Sequence, residues 1–186
     1  TVTIWDSGNW QVVKEFHRYG GAYSENSFAF LPDGTLLTAA PIGNTSDPNF
    51  QTSGVSALIQ WNAEAGQPVR YIPEAGRLLG VSPQEIGKAD TFAVSADGSL
   101  VAGITKGRNV VLFETRGWSI ANRWVTPPTP QHRDNGVSVA ISPDNRVVAL
   151  GTGFGYVHIF DSINDHSICT FLAYQGDAGF GCRALA

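Results

Sequence analysis

Methionine is absent from the 186 residues, and cysteine occurs twice, at Cys169 and Cys182. The two cysteines show no metal-ligand spacing and give no disulfide framework, so they read as small buried hydrophobes. Charge is scarce as well: charged residues make up 15% of the chain, against roughly 25% in an average soluble domain. Lysine stands only at positions 14, 88 and 106, no arginine cluster compensates, and the net charge is −4. A phosphate backbone would meet no basic stripe, which argues against nucleic acid as a partner. No apolar run approaches the roughly 20 residues of a membrane span, and no basic-then-apolar leader opens the sequence.

What the chain has in abundance is turn formers, 21 Gly and 10 Pro, within a composition that is 42% hydrophobic. Low charge with many glycines suits short strands joined by turns better than surface helices. The chain opens on TVTIWD and closes in the apolar run CRALA. Both ends read as cuts through a repeat.

The repeat itself is legible in two parts. TVTIWDSGNWQVVKEF, ALIQWNAEAGQPVRYI, NVVLFETRGWSIANRW and YVHIFDSINDHSICTF superimpose without gaps. In each, an alternating apolar strand ends in a large aromatic (Trp5, Trp61, Phe113 or Phe160). A polar residue and a turn follow, then a second strand ending in Phe16, Ile72, Trp124 or Phe171. The interval from aromatic to terminal apolar residue is 11 in all four. A second unit recurs three times, as SFAFLPDGTLLTAA, TFAVSADGSLVAGI and SVAISPDNRVVALG. Its strands are joined at Asp33-Gly34, Asp97-Gly98 and Asp144-Asn145, residues that tolerate the positive φ of a tight hairpin. From turn aspartate to the next aromatic is 16 residues twice and 28 once, so the first of these repeats carries an insertion of 12.

Together the two parts make one unit of four short antiparallel strands, with the aromatic recurring at intervals of 56, 52 and 47. Such a unit cannot bury both faces alone, so its neighbours must stack, as blades do in a propeller. TVTIWD, the SPD-type turns and QWNAEAGQPVRYI resemble the WD-repeat family. The resemblance covers essentially the whole chain and implies an all-β propeller of about three full blades plus two partial ones, roughly half of a seven- or eight-bladed ring. The expected division is a single partial propeller over 1–186. It begins with the end of one blade (1–16), continues through blades at 28–72, 92–124 and 137–171, and ends in the start of another (180–186). The family's buried network of histidine, turn aspartate and tryptophan is not expected here. In the last complete blade His132 stands at the histidine position, but GTGFGY brings no aspartate and Phe160 replaces the indole. Open edges of this kind invite association, so another copy or further sequence is expected to cap them.

No residue pattern points to catalysis, a cofactor or a metal. Gly136-Val137-Ser138-Val139-Ala140 and Gly117-Trp118-Ser119 lack the second glycine of a nucleophile elbow and lie in hairpins. The alternating glycines of GTGFGY belong to a turn, with no βαβ unit after them. The histidines at 17, 132, 158 and 166 have no paired ligand spacing. The resemblance implies a non-catalytic scaffold for protein partners. The exposed connections are where such a partner is expected: the polar insertion at 41–54, the connection from Arg77 to Glu85 with a short helix over 83–88, and Thr126–Asp134 with its proline run. The candidate contacts are Asn44, Asp47, Asn49, Phe50, Arg77, Glu85, Arg133 and Asp134. The competing readings are a propeller enzyme or a sugar- or metal-binding propeller with its site on the axis, and a structural fragment of a larger multidomain protein.

Overall fold

The computed structural model describes residues 2–16, 28–42, 55–72, 92–105, 109–129 and 136–174, all of them strand, turn or short connection. Strands β1 (Val2–Trp5) and β2 (Val12–Phe16) form a two-stranded antiparallel sheet. The first full blade follows as β3 (Phe28–Phe30), β4 (Leu36–Ile42), β5 (Val55–Asn62) and β6 (Gln67–Ile72). The second is β7 (Phe92–Val94), β8 (Leu100–Thr105), β9 (Asn109–Glu114) and β10 (Ser119–Val125). The third is β11 (Gly136–Ile141), β12 (Val147–Thr152), β13 (Tyr156–Asp161) and β14 (Ser167–Leu172). In each blade the strands pair antiparallel in chain order. Innermost strand β7 lies against β3 on one side and β11 on the other, so the three sheets fan out from a shared inner edge.

Burial follows the period of two along each strand. On β9, Val111 and Phe113 enter a core with Leu31, Leu37, Leu58 and Ile72 of the first blade. The alternate residues Val110 and Leu112, with Trp124, enter a second core with Val139, Val148, Leu150 and Phe160 of the third blade. The middle blade is thus apolar on both faces, which accounts for its run of β-branched and aromatic residues. The strand aromatic points the same way each time, Phe113 toward the first blade and Phe160 toward the second.

The three inner hairpins differ in one respect that matters. Gly34, Gly98 and Asn145 hold positive φ (80°, 71° and 61°), as their sequence predicts. In the second blade the Ser95 hydroxyl donates to Asp97 Oδ1 at 2.7 Å and accepts from the Leu100 amide at 2.9 Å. Ser142 makes the same brace in the third, to Asp144 Oδ1 at 2.6 Å and from the Val147 amide at 3.0 Å. The first blade has Leu31 in place of that serine, and its hairpin closes one residue tighter. Phe30 pairs with Leu36, whereas Val94 pairs with Val101 and Ile141 with Val148. A slip of one residue moves every side chain of a strand to the other face. Leu37 therefore packs toward the second blade, although its sequence equivalents Val101 and Val148 each face the blade before them.

The slip also fixes the surroundings of Trp61. It places Thr38 on the same face as Trp61, whose indole Nε1–H donates to Thr38 Oγ1 at 2.9 Å with both residues buried. The expectation of buried cysteines is corrected. Cys169 is exposed, because it sits on the outermost strand β14, where every residue from Ser167 to Leu172 is exposed. Cys182 and His132 lie outside the described residues.

Candidate functional site

Antiparallel pairing sorts the connections into two ends. At one end lie the tight turns: the inner hairpins at Asp33, Asp97 and Asp144, and the outer ones, Asn62–Gln67, Glu114–Ser119 and Asp161–Ser167. At the other end, Ile42 pairs with Val55, Thr105 and Val125 both pair with Asn109, and Gly136 pairs with Thr152. The insertion at 43–54 and the connections at 73–91 and 130–135 all leave and rejoin the sheets at this second end. Asn44, Asp47, Asn49, Phe50, Arg77, Glu85, Arg133 and Asp134 belong to these segments and lie outside the described residues, as does the helix expected over 83–88. Of the residues flanking them, Ile72 is buried and Val125 exposed.

The turn end shows its chemistry in full. A cleft of about 290 Å³ opens between the first and second blades, lined by Pro32, Asp33, Gln60, Arg70, Asp97 and Trp118 among others. Both carboxylates are committed to the backbone around them. The Asp33 carboxyl titrates below its ordinary value, chiefly because Thr35 donates its hydroxyl and then its amide to Oδ1. Asp97 lies well below the usual carboxylate range, with the Ser99 amide as the largest cause, followed by Ser95, Asn145 and the Ser99 hydroxyl. Asp144 is lowered first by the Ser142 hydroxyl and Asp161 first by the Asn164 amide. Carboxylates held ionised by fixed donors make good turn braces and poor proton shuttles, since a general acid or base needs a pKa near the working pH.

Neighbouring turns also touch. Asn145 Nδ2 donates to Asp97 Oδ2 at 2.9 Å, linking the third blade to the second. Pro32 packs on Gly98, where an added Cβ would sit 2.4 Å from Pro32 Cδ, so that glycine serves both the positive φ and the close approach. These carboxylate braces were missed by a reading that credited the aspartates with backbone tolerance alone. The signal was present, in the serine or threonine two residues away from Asp33, Asp97 and Asp144.

His158 is buried within the third blade, with Nδ1 at 2.9 Å from Thr170 Oγ1 and its ring stacked beside Phe160. Among the described residues no group of three or more His, Cys, Asp and Glu is placed to hold a metal ion, and no helix is long and apolar enough to cross a membrane.

No protein-family model matches the sequence, and no curated protein matches it. Solved structures do. The crystal structure of RRP9 WD40 repeats matches with a TM-score of 0.56 at 16% identity, over 80% of this chain and 38% of that one. The structure of U3-55K matches with a TM-score of 0.56 at 18% identity, over 80% and 39%. The blades have the fold seen in WD40-repeat propellers. The chain spans about two fifths of each matched WD-repeat structure. At these identities the likeness establishes the architecture of the blades alone.

Proposed function

We propose that this chain is a non-catalytic interaction scaffold, one partial propeller over 1–186 that presents the long-connection end of its blades to a protein partner. The observation that supports it is the segregation of connections: three long segments leave the sheets at one end, while the opposite end is closed by braced turns. Loops carried on a rigid scaffold are where recognition concentrates. The partner is read onto Asn44, Asp47, Asn49 and Phe50 in the insertion, Arg77 and Glu85 in the next connection, and Arg133 and Asp134 in the third. The turn end is less suited, because its carboxylates already satisfy their own backbone.

Photo-crosslinking side chains placed at Phe50, Glu85 or Arg133, and at Glu64 or Arg116 on the turn end as controls, test this in extracts of the source cells. Discrete protein adducts from the first three positions and none from the controls are expected. Adducts confined to Glu64 and Arg116 would sink the reading.

A further inference from the structure

The two junctions between full blades use the same repeat positions and end differently. Between the second and third blades Asn145 follows the turn aspartate, and its Nδ2 crosses to Asp97 Oδ2 at 2.9 Å. Leu112, one residue before the strand aromatic, is buried in the core of that junction. Between the first and second blades Gly98 takes the place of Asn145 and sends no side chain across. Gln60 takes the place of Leu112, although Ile4 and Ile159 keep that position apolar in the remaining repeats. Arg70 stands for Asn122, and Trp118 for Asp165. The cleft of about 290 Å³ lies at this junction, and Gln60, Arg70, Gly98 and Trp118 all line it. The residues that set the junction apart are therefore the residues of the cleft.

Their polar groups are only partly used. Trp118 is 8% exposed and belongs to the core between these blades. Among the described residues its indole Nε1–H meets no acceptor, and the nitrogen is not sealed from solvent. Asp33 takes both Thr35 bonds on Oδ1. Its Oδ2 has only the Gln60 amide at 3.4 Å, since that amide is held by Thr35 Oγ1 at 2.8 Å. Oδ2 therefore keeps room for a donor. Asp97 does not, because Ser95, Ser99 and Asn145 occupy its two oxygens. Arg70 is exposed on β6 and brings guanidinium donors.

The charges narrow the ligand. An anion drawn to Arg70 would meet the carboxylates of Asp33 and Asp97, and a cation drawn to Asp33 would meet Arg70. A neutral molecule whose groups both donate and accept escapes both penalties and still gains charge-assisted hydrogen bonds. The cleft is also small, at the lower end of the range for ligand pockets. We propose that it binds a neutral sugar unit, whose hydroxyls donate to Asp33 Oδ2 and accept from Arg70 and the Trp118 indole N–H. The site lies between two blades at the turn end, so it stands or falls separately from the partner surface at the loop end.

Titration of the full chain with glucose, galactose, mannose and N-acetylglucosamine, followed by NMR at the tryptophan indole N–H signals, tests it. At least one sugar is expected to shift the Trp118 signal saturably, with a Kd on the order of 1 mM. The Trp124 signal stays in place, because that indole lies in the other core. Arg70→Asn puts the second blade's residue at an exposed position and weakens binding at least about tenfold, the size of one lost charge-assisted hydrogen bond. Asp33→Asn keeps an acceptor for Thr35 but turns the free oxygen into a donor, and weakens binding as much. A Trp118 signal unmoved by all four sugars would overturn the proposal. So would a stronger response to glycine, guanidinium or sulfate than to every sugar, or an affinity that neither variant changes. If one variant loses its strand spectrum by circular dichroism, the other decides.

Discussion

Trp61 and its equivalents Phe113 and Phe160 occupy one position in the repeat, yet the first is chemically different because it carries a donor. That donor is satisfied by Thr38, and both groups are buried. Trp61→Phe leaves the Thr38 hydroxyl without its donor and the pocket underfilled, at a cost of about 1–3 kcal/mol. Thr38→Val in the same background recovers part of that, because it removes the stranded hydroxyl. Urea unfolding of the two single variants and the double variant measures the coupling, and strictly additive losses would show that the bond contributes nothing. At this scale the sequence was half legible. The aromatic position was plain from the constant interval of 11 to the closing apolar residue. The bond was not, because which face Thr38 takes depends on a register that no alternation pattern in the strand reveals.

That register is set at the scale of the hairpin. A serine two residues before the turn aspartate holds the hairpin open by one residue, and Leu31 in its place lets the first hairpin close tighter. The sequence named all three turns and their positive-φ residues correctly. It did not predict the slip, since leucine and serine at that position leave the alternating pattern unchanged. The braces also carry a pH signature. The carboxyls of Asp33, Asp97, Asp144 and Asp161 all titrate below their ordinary value in the folded chain. Their contribution is therefore complete above the ordinary carboxylate pKa and is lost as pH falls through the lowered values. Since the Ser142 hydroxyl is the largest cause for Asp144, Ser142→Ala raises that carboxyl toward the ordinary aspartate value. The variant's third blade is then less stable at neutral pH, and its stability falls less steeply on acidification than the parent's. Carbon-detected NMR titration of the Asp144 carboxyl reads the raised value directly, and an unmoved midpoint would remove the hydroxyl from the account.

At the scale of the whole molecule, the described residues include two cores that share the second blade and no residue. A stack in which each unit touches only its neighbours loses stability locally before it loses it globally. The three four-stranded sheets and their stacking were readable in advance because each such unit is too thin to bury its own faces. The long connections were not, since polar segments lack the periodicity that constrains strands. Phe113 belongs to the core between the first and second blades and Phe160 to the core between the second and third. Phe113→Ala removes a fully buried ring at a cost of about 3–5 kcal/mol. That loss falls on the first interface, so amides of β5 and β9 exchange faster while those of β12 and β13 keep most of their protection. Phe160→Ala reverses the pattern, exposing β12 and β13 and sparing β5. Native-state hydrogen exchange resolved by strand measures both. If either variant lowered protection evenly from β4 to β13, the blades would be one cooperative unit and the two-core description would fail.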